Sequence, residues 1–199
     1  MDTDDRKRWN RFLLVQSITL IRIPLAIGFG IVLLCFPLTT STLSLCFGVL
    51  LLCELSDVAD GSLARWLGVD SSWGAMLDPY ADSMARLIVY WSLARVDLGL
   101  WYVPLVMALR DVTVAYCRIT LAKGGRTVSA KLSGKIKAVV QGAGALLLVM
   151  GPLFWDWGIG MWTMPVLSWV VILTTAASGG EYLFGALGVV RQIGLRPDN

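Results

Sequence analysis

From Phe12 to Phe36 a single charged side chain, Arg22, interrupts an apolar run long enough to cross a lipid bilayer, which takes about 20 helical residues. Further apolar windows follow at about Leu43 to Leu55, Met84 to Ala94, Leu98 to Leu121, Ile136 to Phe154 and Met161 to Val190. Within lipid no water is present to satisfy peptide groups, so spans of this kind are read as helices. Composition agrees, because 56% of the 199 residues are hydrophobic and 16% charged, against about 25% charged in an ordinary soluble domain. The expected class is an all-α integral membrane protein with six transmembrane helices.

The second and third windows are too short to span unless their helices continue through the polar stretch between them, and we expect that they do. The domain reading is a cytosolic juxtamembrane segment over residues 1–11 and a six-helix membrane domain over 12–199. The opening segment is too polar for a cleaved signal peptide, so no removal is expected. Cys35, Cys46, Cys53 and Cys117 lie scattered without a CxxC spacing, and histidine is absent. Zinc sites, haem ligation and histidine-based catalysis are therefore not expected.

Basic residues set an orientation. Arg6, Lys7, Arg8 and Arg11 lead the chain, five more fall between Lys123 and Lys137, and Arg191 and Arg196 end it. The intervening connections on the other side carry almost none, so the positive-inside rule puts both termini and the polar loop in the cytosol of a plasma membrane. Tryptophan, which prefers the interface, gives the same layout. Trp9, Trp66 and Trp73 mark the cytosolic boundary, and Trp101, Trp155, Trp157 and Trp162 the other. Lys123-Gly-Gly-Arg-Thr127 reads as a turn.

The chemistry lies in the polar stretch, which reads Asp57-x-x-Asp60-Gly61-x-x-Ala64-Arg65 and then Gly74-x-x-x-Asp78-x-x-x-Asp82. Each ionised carboxylate at membrane depth costs roughly 2.5–3.5 kcal/mol, so the group calls for a compensating partner. Spacings of three and four return to the same helix face, so two helices would present the four acids to one another. Hard divalent cations take oxygen ligands, and Mg²⁺ keeps open positions for water and substrate phosphates. Gly61 and Gly74 suggest backbone that a ligand approaches closely.

This pattern, matched in full from Asp57 to Asp82, resembles the signature of the CDP-alcohol phosphotransferases. The resemblance implies an integral membrane enzyme of six transmembrane helices, usually a homodimer, that displaces CMP from a CDP-activated lipid with an alcohol nucleophile. It implies that Asp57, Asp60, Asp78 and Asp82 form the metal set for Mg²⁺ or Mn²⁺, with two ions expected. Asp82 would also be the general base. Gly61, Ala64, Arg65 and Gly74 would receive the CDP-lipid. The first helix is similar to the family's opening through Thr19, Arg22 and Pro24, with Gln16 where Asn is usual; Thr19 is placed with the CDP-lipid contacts.

A second stretch narrows the acceptor. Arg110-Asp111-x-x-Val114-x-x-x-Arg118, then Gly134-Lys135-x-Lys137 and Gln141, resembles the branch of that family that makes phosphatidylglycerophosphate, with Ala138 in place of the usual Thr. Ser178-Gly-Gly-Glu181-Tyr182 is similar to a common family ending, with Glu for Asp. An acceptor carrying its own phosphate needs cations, because arginine offers a planar fork and lysine a point charge. Arg22, Arg110, Arg118, Lys135 and Lys137 are therefore the expected acceptor-phosphate contacts. Arg86, one turn after Asp82, is read only as balancing its charge.

The resemblance implies attack by glycerol-3-phosphate on CDP-diacylglycerol in a single displacement, with membrane lipid as the surroundings and no nucleic acid as partner. Two other readings remain open at this point. One keeps the chemistry with inositol phosphate or phosphatidylglycerol as acceptor. The other is an ion-coupled transporter, against which stands the lack of a repeated half.

Overall fold

A computed structural model describes residues 3–69, 72–123, 132–153 and 160–193. The described residues form helices α1 (Thr3–Leu20), α2 (Arg22–Cys35), α3 (Thr40–Leu67), α4 (Ser72–Arg95), α5 (Val103–Lys123), α6 (Leu132–Met150) and α7 (Gly160–Ile193). The expected turn at 123–127 and the tryptophans at 155 and 157 lie outside the described residues, apart from the backbone of Lys123.

One difference from the sequence reading is that the first window holds two helical segments. Pro24 lacks an N–H, and its ring crowds the carbonyl four residues back, that of Leu20, where α1 stops. The break is slight. Ile21 keeps right-handed helical angles, its N–H donates to Ser17 O at 3.0 Å, and Leu25 N–H donates to Ile21 O at 3.1 Å. α1 and α2 are thus two parts of one interrupted helix, and the described residues form six helices on that count. The segment over residues 1–11 belongs to this helix from Thr3 onward.

Among the described residues, four stretches are both long and apolar enough to cross a membrane: Asp5–Cys35, Thr40–Asp57, Ser133–Leu153 and Trp162–Gly188. The other two helices are more polar but long enough. α4 has 24 residues and α5 has 21, and at about 1.5 Å per residue each exceeds 30 Å. α3 and α4 do run on through the aspartate stretch, as expected.

The core explains why the helices associate where they do. Phe29 and Leu33 of α2, Leu43 and Cys46 of α3, Val89 and Leu93 of α4, and Leu148 and Val149 of α6 form one buried cluster, with Met107 of α5 and Val171 of α7. Val114, Cys117 and Leu121 of α5 meet Tyr182 and Ala186 of α7 in a smaller one. α2 therefore lies against α3 and α4, and α7 against α5 and α6.

Helix ends are shaped locally. α4 closes with Asp97 in the left-handed region (φ 58°), Leu98 N–H donating to Leu93 O at 2.9 Å, and both leucines fully buried. This is a Schellman arrangement with its hydrophobic contact. Leu100 N–H then donates to Ser168 Oγ at 3.2 Å, fastening the α4–α5 connection to α7. At the opposite end Gly68, with φ 63°, ends α3 just before α4 begins. Trp66, Trp73, Trp101 and Trp162 are all exposed near helix ends, as interfacial residues should be.

Candidate active site

The start of α2 aims Arg22 inward, and two neighbouring helices answer it. Its guanidinium donates to Asp57 Oδ1 on α3 at 2.7 Å, to Asp78 Oδ1 on α4 at 2.8 Å, and to Asp82 Oδ1 one turn further along α4. The Arg22 side chain is only 2% exposed, whereas that of Asp78 is 50% exposed, so the cluster is closed on the arginine side and open at Asp78. Asp57, Asp78 and Asp82 each offer an oxygen, and these oxygens lie within 4.8 Å of one another. The side chain of Asp60 lies outside the described residues.

Three carboxylates share Arg22, so negative charge is in excess at this point. Hard oxygen donors, convergence and an open side together fit a hard divalent cation. The cluster can hold a metal ion.

Behind the aspartates a cavity reaches between α3, α4 and α6, lined by Arg22, Glu54, Asp57, Asp82, Arg86, Tyr90 and Gln141, with apolar walls from Leu50, Ala85 and Val89. Arg86 donates to the carbonyl of Ala138 and places its other terminal nitrogen 3.6 Å from Glu54 Oε2 and 3.9 Å from Asp82 Oδ2. Tyr90 donates to the Gln141 carbonyl at 2.7 Å, and Gln141 Nε2 to Thr175 Oγ1 at 2.9 Å. Glu54 belongs to no motif in the sequence, yet it is a carboxylate in an apolar window three residues before Asp57, and so on the same helical face.

The second basic stretch forms its own group between α5, α6 and α7. Arg110 donates to Asp111 Oδ1 at 2.9 Å and to Ser178 Oγ at 2.7 Å, and Lys137 Nζ donates to Asp111 Oδ1 at 3.4 Å. Arg110 and Arg118 lie over the Tyr182 ring at 5.7 and 5.6 Å. The Nε atoms of Arg110 and Arg118 are buried with no hydrogen-bond partner among the described residues. Asp111, Ser178 and Tyr182, motif positions in the sequence, contact these cations.

The expected residues thus fall into two groups. Arg22 stands with the acids, while Arg110, Arg118 and Lys137 stand together. Lys135 is exposed on α6. Thr19 is buried one turn before Arg22, with its hydroxyl donating to Val15 O at 3.3 Å. Gly61 and Gly74 lie half-buried on α3 and α4, and the side chains of Ala64 and Arg65 lie outside the described residues.

Fold and site together define a polytopic membrane protein with an acidic centre among its helices that can hold a metal ion. Residues 12–177 match the family model described as CDP-alcohol phosphatidyltransferase, and the chain belongs to that family. It is similar to the CDP-diacylglycerol–glycerol-3-phosphate 3-phosphatidyltransferase of Bacillus subtilis (strain 168), 30% identical over 138 residues that cover 66% of this chain and 68% of that protein. The protein of that name from Shigella flexneri serotype 5b (strain 8401) is 28% identical over 183 residues, covering 88% of this chain and 96% of the relative. A probable phosphatidylglycerophosphate synthase of Mycobacterium tuberculosis (strain ATCC 25618 / H37Rv) is 29% identical over 144 residues, covering 69% and 65%.

Proposed function

We propose that this protein transfers the phosphatidyl group of CDP-diacylglycerol to glycerol-3-phosphate, giving phosphatidylglycerophosphate and CMP. The observation that carries the proposal is the convergence of Asp57, Asp78 and Asp82 within one helix bundle that also holds the Arg110, Arg118 and Lys137 cations. The relatives' names support glycerol-3-phosphate as the acceptor.

In this reading Asp57, Asp60, Asp78 and Asp82 hold one or two Mg²⁺ or Mn²⁺ ions. When bound, these ions neutralise the pyrophosphate of the CDP-lipid and the charge of the departing CMP. Gly61, Ala64, Gly74 and Thr19 shape the nucleotide side, with Arg65 near its phosphates. Arg22 faces the same centre, so the phosphate it serves is the one transferred there. Arg110, Arg118, Lys135 and Lys137 hold the phosphate of the acceptor, and the buried Nε atoms of Arg110 and Arg118 are donors with no partner among the described residues.

The acceptor's primary hydroxyl attacks the phosphorus that carries diacylglycerol. The new P–O bond forms as the bond to CMP breaks, and the hydroxyl proton passes to the Asp82 carboxylate. The acyl chains stay in the bilayer while the headgroups react in the polar centre.

The bundle over residues 12–199 acts as one catalytic domain at the cytosolic face of a plasma membrane, and the working form is a homodimer. The basic ends of the chain support that orientation. Purified Asp82→Asn tests the mechanism. It should fold as the parent does and release no CMP above background, and full turnover by this variant would refute the base role.

A further inference from the structure

We propose that Arg86 is a positioning residue for Asp82, braced by Glu54 and by the carbonyl of Ala138. The inference deepens the reading of Asp82 given above and rests on it.

The two oxygens of Asp82 meet different guanidinium groups. Oδ1 accepts from Arg22, and Oδ2 faces Arg86 at 3.9 Å. The Arg22 contact is a hydrogen bond and the Arg86 contact a longer ion pair, so the two cations bias the orientation of the Asp82 carboxylate from opposite oxygens, next to the centre shared with Asp57 and Asp78.

Arg86 is itself held from two sides. It is 9% exposed, although a long cationic side chain in a membrane helix can usually reach the interface. Instead it turns across the bundle to α6, where it donates to the Ala138 carbonyl, and to α3, where Glu54 Oε2 lies 3.6 Å away. Glu54 reaches that place because residue 142 is glycine. A Cβ at 142 would sit 2.5 to 2.7 Å from both Glu54 oxygens and their carbon. The small residue on α6, the acid on α3 and the arginine on α4 therefore form one brace, and its free end is the proposed base.

Simple charge balance does not account for this. Arg22 is shared among three carboxylates, so Arg86 also offsets part of the excess negative charge, but any nearby cation would do that. The brace adds direction, since a planar guanidinium can serve a carbonyl with one nitrogen and carboxylates with another, whereas lysine has one nitrogen.

Turnover and both KM values are to be measured, alongside thermal unfolding, for Arg86→Lys, Arg86→Met and Glu54→Gln in detergent with CDP-diacylglycerol, glycerol-3-phosphate and Mg²⁺. Outer partners of this kind are worth about 10- to 100-fold. Arg86→Lys should unfold near the parent temperature, keep both KM values and lose about 10-fold in kcat, with Arg86→Met lower still, and Glu54→Gln should lose less.

Parent kcat in both Arg86 variants would overturn the proposal, as would a loss that appears in KM or follows the loss of folded protein. If Arg86→Met does not fold, Arg86→Lys decides the matter by the same criteria. Full turnover in Asp82→Asn would remove the underlying reading instead, so the two failures are told apart by which variant keeps its rate.

Discussion

Arg22 and Asp57 lie 35 positions apart in sequence and meet at 2.7 Å, with the arginine almost wholly out of solvent. The same guanidinium also serves Asp78 and Asp82, so it joins α2 to both aspartate helices. Breaking a fully buried ion pair costs about 3–5 kcal/mol, and removing the buried arginine from this partly open group leaves three carboxylates uncompensated at a cost below that. Arg22→Gln should therefore unfold at a clearly lower temperature than the parent in detergent. Added Mg²⁺ should recover part of the difference, because a cation then meets the same oxygens. An unchanged unfolding temperature would show that Arg22 does not hold the acids together.

Metal binding has a readout that does not depend on turnover. A ligand that binds only the folded form at 100 times its Kd stabilises by about 2.7 kcal/mol. Mg²⁺ or Mn²⁺ should raise the unfolding temperature of the chelator-treated protein, and Asp78→Asn should reduce that rise. Asp78 is the useful position, since its half-exposed side chain makes it the open side of the cluster.

Two glycines separate packing from helix propensity. A Cβ at Gly144 would sit 2.8 Å from the Tyr90 hydroxyl and 2.9 Å from Val171 Cγ2, whereas one at Gly28 would meet nothing within 4 Å. Overpacking costs about 1–3 kcal/mol, so Gly144→Ala should destabilise by that order. Gly28→Ala should be neutral or stabilising by up to about 1 kcal/mol. Equal unfolding temperatures for the two variants would contradict this placement of α6 against α4 and α7.

The acceptor assignment makes Arg110 the cation to change. It is fixed by Ser178 at 2.7 Å and Asp111 at 2.9 Å, so its contribution is directional. A hydrogen bond to a charged group is worth about 1.5–3 kcal/mol, and Arg110→Met should therefore raise the KM for glycerol-3-phosphate roughly 10- to 100-fold while leaving that for CDP-diacylglycerol unchanged. A rise in the second KM alone would move Arg110 to the nucleotide side.

Much of this was legible beforehand, for identifiable reasons. The short apolar windows at Leu43 to Leu55 and Met84 to Ala94 forced α3 and α4 to continue through the aspartates, which set Asp57, Asp78 and Asp82 on neighbouring helices. The interruption at Ile21 was signalled by Pro24, yet hydropathy alone joins the two segments. The partner of Arg22 was not legible. Helical spacing gives the face a residue occupies but not the helix that covers it, and so Arg22 was grouped with cations it does not accompany. Glu54 was hidden differently, because one acid in an apolar window looks incidental until Arg86 and Gly142 are seen against it.

The most direct measurement is CMP release by the purified protein given CDP-diacylglycerol and Mg²⁺, with glycerol-3-phosphate, inositol phosphate and phosphatidylglycerol supplied in turn. The account predicts release that depends on glycerol-3-phosphate, yields phosphatidylglycerophosphate and stops when a chelator is added. Release only with one of the other acceptors, or none with any of them from folded protein, would contradict it.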